Sequence, residues 1–253
     1  MTLRLAHLAD LHFGEDLPGL AAHLAADIRA QVPDAVLVSG DLTSRARPAE
    51  LTAAFAFLAS LGPPVLAVPG NHDIPATDPW ARLLHPRRLW RAAAPRETQL
   101  ALPGLTVLGL DTTTRAHWHL DWSAGAIPPR RLAALAHLLR EAAPPVIVLC
   151  HHPLRHPAGL PGRRTPRGAT AACALLRRAG VRAVLSGHLH HAAALPLGSP
   201  WPVNLLAPSA LSPRGSGAPN GWLLLELPEA GLHATLRQFV AGAWQARPLL
   251  SAP

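Results

Sequence analysis

Aspartate, asparagine and histidine recur in five short clusters: Asp10 and His12 in ADLH, Asp41 in GDLT, Asn71 and His72 in GNHD, His151 in HHP, and His188 and His190 in GHLH. Carboxylate, amide oxygen and imidazole without thiolate form a donor set that suits manganese, iron or zinc better than copper(I). Two metal ions about 3.5–4 Å apart need a bridging group, and a carboxylate with two oxygens supplies one. Asp41 is the candidate bridge, because Gly40 before it allows a tight turn that aims the carboxylate into a cleft. Asp10 and His12 stand two apart, so at a strand end their side chains share a direction. Asn71 adds a neutral oxygen and keeps the charge of the site low.

Such clusters need a frame that brings distant segments to one place. Short apolar runs at 3–9, 35–39, 65–68, 105–110, 146–150 and 181–186 read as buried strands. Helical spacing of apolar residues appears at 17–31, 48–61, 128–142 and 169–179. Pro48, Pro128 and Pro129 suit first-turn positions. This alternation predicts an α/β protein. Shorter, turn-punctuated segments at 193–197, 203–206, 222–227, 232–239 and 243–249 predict a second, more antiparallel sheet packed on the first. Every cluster falls just after a predicted strand, at the edge where α/β sheets bind ligands.

The 253 residues suffice for one large domain with a full core. Every basic side chain is arginine, and the formal charge of +8 would attract anionic esters. The arginines come singly or in pairs, with no sustained basic run, so a nucleic-acid partner is not expected. Cys150 and Cys173 form no Cys-x-x-Cys pair and read as buried thiols. The start of the chain has no room for a signal peptide before Asp10, and no apolar stretch approaches the roughly 20 residues of a membrane span. A cytoplasmic protein is the expectation.

The order and content of the five clusters resemble the calcineurin-like metallophosphoesterases, over nearly the whole chain. GDLTSRARPAEL followed by PVLAVPGNHD is most similar to the bacterial class III cyclic-nucleotide phosphodiesterases. The resemblance implies one domain over residues 1–253, a four-layer α/β/β/α sandwich of two mixed β-sheets flanked by helices. It assigns Asp10, His12, Asp41 and His190 to one metal, and Asp41, Asn71, His151 and His188 to the other. A hydroxide bridging the metals would attack phosphorus in line with the leaving oxygen. His72 would serve the leaving group, and Asp73 would orient His72 or its loop. The implied substrate is a small phosphodiester, cyclic nucleotide or other. A nucleotide-lipid pyrophosphatase or phosphomonoesterase is the alternative, followed by a nuclease or a non-catalytic metal-bearing scaffold. A homodimer is compatible with these readings.

Repair nucleases share an opening like HLADLHFG, but usually carry an aromatic and an acidic residue where this chain has Thr43 and Ser44. His152 is the alternative to His151 as ligand. His7 reads as a core histidine with a hydrogen-bond partner, and Asp111 as structural. His191 is expected to point away from the metals. His23, His85, His137 and His233 read as surface or packing residues. His117, His119 and His156 fall in candidate cleft loops, and Trp118 and Trp122 read as core or loop-packing residues, with a pocket wall as the alternative. Two long loops, 155–168 and 208–220, are functional candidates. Arg155, Arg163, Arg164 and Arg167 of the first could clamp a phosphate.

Overall fold

β1 (Leu3–Leu8) pairs in parallel with β2 (Ala35–Val38), and β2 with β3 (Val65–Ala67). The other edge of β1 takes β10 (Gly221–Leu227) antiparallel, followed by β11 (Leu232–Val240) and β12 (Ala243–Ala252). These six strands form the first sheet. The second runs in the order β4 (Gln99–Leu102), β5 (Leu105–Leu110), β6 (Val146–Cys150), β7 (Ala183–Ser186), β9 (Val203–Leu206) and β8 (Ala193–Pro196). The computed structural model describes residues 2–75, 78–95, 97–115, 123–159, 164–199, 201–214, 217–229 and 231–252.

Side-chain alternation along the strands explains the layering. Leu5 and Ala9, Leu37, Ile147 and Leu149, Leu185, Leu205 and Leu223 meet in one core between the two sheets. Their neighbours Ala6, Leu8, Val36, Val38 and Leu224 face outward, onto Leu24 and Ile28 of α1 (Leu20–Ala30) and Leu51 and Leu58 of α2 (Pro48–Ser60). On the far side Val146, Val148 and Val184 meet Leu135 of α5 (Pro129–Glu141) and Ala172 and Leu176 of α6 (Ala169–Arg178). The result is two mixed sheets face to face with helices on both outer faces, as the resemblance implied.

The expected segregation of a late antiparallel sheet is not what forms. The C-terminal strands divide, β8 and β9 extending the sheet of β7 and β10 to β12 extending the sheet of β1. Local patterning identifies a strand but not its partner, because pairing is a long-range choice. The predicted helix at 17–31 begins only at Leu20, because Gly19 before it is left-handed, with φ 79°. The sequence pattern gives no sign of β4, of the 3-10 turn Asn71–Asp73, or of the short helices α3 (Pro79–Leu84) and α4 (Arg88–Ala93). Helices of six residues carry too few turns to show a periodic face. Asp78, accepting from the Ala81 amide at 2.9 Å, caps α3. Cys150 is buried, whereas Cys173 is only half-buried. Among the described residues no helix is long and apolar enough to cross a membrane.

Trp222 ties β10 to α1, with its side chain fully buried and its Nε1 donating to Asp27 Oδ2 at 2.9 Å. Replacing Trp222 with alanine should lower stability by about 3–5 kcal/mol in chemical denaturation. Replacing Trp80, which is 74% exposed on α3, should change it by less than about 0.5 kcal/mol.

Candidate dinuclear metal centre

All five clusters lie beyond the carboxyl ends of parallel strands, Asp10, Asp41 and Asn71 after β1, β2 and β3, and His151 and His188 after β6 and β7. The two sheets present these ends on the same side. Main-chain bonds lock the loops together: Asp10 N donates to Gly40 O and His12 N to Asp41 O, both at 3.0 Å, and Gly187 N donates to His151 O at 3.0 Å. Two further bonds cross between the sheets. His188 N donates to Asp10 Oδ2 at 2.8 Å, and His151 Nδ1 to the Ser39 carbonyl at 2.7 Å.

Asp10, His12, Asp41, His188 and His190 all have positive φ, between 50° and 71°. This left-handed region is uncommon outside glycine and asparagine, although aspartate and histidine tolerate it better than most residues. Held against a cost on the order of 1–3 kcal/mol each, such conformations persist only where the surroundings fix them. Gly70 and Gly187 permit the close approach. A Cβ on Gly70 would stand 2.1 Å from Asp41 Oδ1, and one on Gly187 2.4 Å from Asp10 Oδ2.

The side chains converge. Asp10, His12 and His190 form one group with ligand atoms within 4.8 Å of one another, and Asp10, Asp41 and His151 another. Asp41 lies 3.9 Å from His12 Nε2 and 3.3 Å from His151 Nε2, both measured from Oδ2, so it stands between the two ends of the cluster. His151 Nε2 is also 3.0 Å from Asn71 Oδ1 and 3.2 Å from His188 Nδ1. With His151 Nδ1 donating to Ser39, its Nε2 turns a lone pair into this group. With the imidazoles neutral, acceptors face acceptors here. Asp10 Oδ1 is buried without a hydrogen-bond partner, and its nearest histidine nitrogen is His190 Nε2 at 3.3 Å.

The electrostatics express the same demand for positive charge. Burial would raise the Asp10 and Asp41 carboxyls, but His190 beside one and His151 beside the other hold them below the ordinary range. Burial likewise opposes a charged His151, yet Asp41 pushes it up to about 9. A cation between these groups would satisfy every one of them without protonating the imidazoles, so the residues fit the metal pair that their chemistry suggested.

His72 stands at the rim, its ring centroid 4.9 Å from that of His12. Its main-chain N donates to Asp41 Oδ1 at 2.8 Å, and its Nδ1 donates to the Ser44 carbonyl at 2.8 Å, leaving Nε2 toward the cleft. Asp73 accepts from the amides of Leu42, Thr43 and Gly70, and from the Thr43 hydroxyl. It thus staples the GNHD turn to the GDLT loop rather than touching the imidazole.

His152 is buried beside His151 and His188, within reach of the cluster. Both its ring nitrogens are engaged, Nδ1 with Thr112 Oγ1 and Nε2 with the Ser123 carbonyl, each at 2.7 Å. His7 is fully buried and bonded to Ser39 Oγ at 2.6 Å, as a core histidine should be. Asp111 pairs with Arg87 and Arg131 in a structural network. Arg155 donates to the Pro196 carbonyl. His156 and His191 belong to none of the candidate metal groups among the described residues. His117, His119, Trp118, Trp122 and Arg163 lie outside the described residues.

Residues 3–192 match the model of the calcineurin-like phosphoesterases, and the chain belongs to that family, metal-dependent hydrolases with a dinuclear site. It is 32% identical over 167 residues to a cAMP/cGMP dual specificity phosphodiesterase of Mycobacterium tuberculosis, covering 63% of this chain and 49% of that protein. It is 30% identical over 163 residues to a glycerophosphodiester phosphodiesterase of Enterobacter lignolyticus, covering 59% of this chain and 56% of the relative. The chain thus spans about half the length of these curated relatives. The solved structure of a dimetal phosphatase from Danio rerio superposes with a TM-score of 0.71 over 98% of both chains at 15% identity, a likeness of fold.

Two residues at the rim belong to no sequence motif. Glu15 and Arg214 form an ion pair at the rim, with Arg214 Nη1 3.4 Å from His72 Nε2. The only signal was the unusual length of the loop at 208–220. Substituting Gly70 with alanine should drive Asp41 from its place. Metal content by elemental mass spectrometry should fall, and any hydrolytic rate should drop by about 10²-fold, as expected of an ångström-scale misplacement.

Proposed function

We propose that the chain is a phosphodiesterase for small phosphodiesters. Asp10, His12, Asp41 and His190 would hold one metal, and Asp41, Asn71, His151 and His188 the other. The observation that carries this reading is the meeting of carboxylate, amide and imidazole ligand atoms from both sheets around Asp41. When bound, the two ions supply an activated nucleophile and neutralise charge on the phosphoryl oxygens. Manganese, iron or zinc suits the donor set.

The protein groups do the positioning. Ser39 and Arg214 fix the His151 and His190 rings through main-chain carbonyls that accept from Nδ1, so each Nε2 faces the cluster. Ser44 does the same for His72, whose Nε2, in the doubly protonated ring, can give a proton to the departing oxygen or hold it by a hydrogen bond. Asp73 keeps His72 and Asp41 in register. A diester rather than a monoester is favoured because two relatives of about 30% identity are named for diester substrates, one cyclic and one open-chain.

Steady-state hydrolysis of an aryl phosphodiester, the matching monoester and 3′,5′-cyclic AMP by the manganese-loaded protein tests this. The diester should be preferred. Asp41→Asn should lose metal together with roughly 10³-fold of the rate, the scale of several kcal/mol of transition-state charge stabilisation. Monoester preference would make the protein a phosphatase. Silence on all three esters with two metals bound would point to a specialised pyrophosphatase or a scaffold.

A further inference from the structure

The rim of the cluster carries a built device that the metal assignment does not use. Arg214 meets Glu15 edge-on, its Nε and Nη2 both 2.5 Å from Glu15 Oε2. Glu15 is also tied to Arg45 Nη2 at 3.2 Å. With Nε and Nη2 engaged, the remaining guanidinium nitrogen, Nη1, is turned to His72, at 3.4 Å from Nε2 and 3.5 Å from Nδ1. His72 Nδ1 already donates to Ser44 and cannot accept, and a contact of 3.4 Å to Nε2 is a weak hydrogen bond, so Nη1 keeps donor capacity. The same residue reaches the cluster through its main chain, since its carbonyl accepts from His190 Nδ1. Its own amide donates to Ser212 Oγ at 3.1 Å. Arg214 therefore spans from a candidate metal ligand to the histidine on the leaving-group side.

Convergence and charge set this group apart from an isolated surface pair. The Arg214 side chain is 34% exposed and that of Glu15 28%. Three loops meet here, those carrying Glu15, Arg45 and Arg214, and with two arginines to one glutamate the group keeps one net positive charge. Guanidinium is planar and stays protonated, so a carboxylate on one edge leaves the other edge oriented at little further entropic cost.

We propose that Arg214, oriented by Glu15, is a catalytic arginine that hydrogen-bonds the leaving oxygen beside His72. The proposal rests on the phosphodiesterase reading. In hydrolysis the oxygen of water bonds to phosphorus while the bond from phosphorus to the ester oxygen breaks. The electron pair stays on the departing oxygen, which then takes a proton. Arg214 does not give up a proton; it stabilises the charge that builds on that oxygen. Its contribution therefore grows as the alcohol becomes a poorer leaving group. Glu15 acts through Arg214 and is a positioning residue.

The test is a series of aryl methyl phosphates of increasing phenol pKa, hydrolysed by wild-type protein, Arg214→Met, Arg214→Lys and Glu15→Gln, with metal content measured for each. Arg214→Met keeps the main-chain carbonyl that accepts from His190, so it should retain its metals, and its loss should be smallest on the nitrophenyl ester. It should lose on the order of 10²-fold in kcat/KM on the poorest leaving group, the scale of one lost oxyanion donor. The dependence of rate on leaving-group pKa steepens accordingly. Lysine should restore part of the loss, and Glu15→Gln should steepen the dependence less. Calorimetric binding of inorganic phosphate should weaken by about 10-fold in Arg214→Met, the equivalent of one charge-assisted hydrogen bond. A uniform loss across the series, or none, with metals at the wild-type level would overturn the proposal. If Arg214→Met loses metal through its contact with His190, Glu15→Gln decides, because it leaves the Arg214 main chain in place: no steepening there overturns the proposal. A wild-type protein silent on the whole series would instead remove the phosphodiesterase reading, and this proposal with it.

Discussion

Two carboxylates, Asp10 and Asp41, are buried to within 2% of complete exclusion from solvent at the seam between the two sheets. Unpaired, each would be costly in that position, and lone pairs of neighbouring imidazole and amide groups point at the same space. The arrangement makes sense around positive charge. Much of the surrounding structure is organised to hold these groups together: adjacent parallel strands deliver the loops, and bonds from His188 to Asp10 and from His151 to Ser39 lock one sheet to the other. The apolar core between the sheets keeps that seam closed from below.

The same constraint accounts for local features that would otherwise look unfavourable. Five of the seven candidate ligands have left-handed backbone conformations, and Gly70 and Gly187 bring other main chain against the carboxylates more closely than any side chain would allow. Local strain of this kind is commonly found where a site is preorganised. Asp73 shows how the strain is contained. With four hydrogen bonds to two loops, it fixes the turn that carries Asn71 and His72 against the loop that carries Asp41.

The candidate cluster was largely legible in the sequence because its residue types are chemically distinctive and each follows a run that reads as a strand. Most elements lay within a few residues of their expected bounds. The partners that orient the cluster were not legible. Ser39, Ser44 and the carbonyl of Arg214 act through backbone oxygens, which every residue possesses, so their identity carries no signal. Thr43 and Ser44, noted as departures from the nuclease pattern, hold the GNHD turn and His72 in place. Strand pairing was also hidden: nothing local in 193–206 or 221–252 says which sheet each segment joins. The competition between His151 and His152 needed geometry to describe, because both are buried and only the fold turns His151 to Asp41 and Asn71 and His152 to Thr112 and Ser123.

The central claim is a pair of metal ions sharing Asp41. A crystal structure of the manganese-loaded protein, with anomalous scattering collected near the manganese absorption edge, addresses it most directly. Two anomalous peaks about 3.5–4 Å apart, with Asp41 contacting both, are predicted. A single peak, or metal bound away from Asp41, would contradict the account.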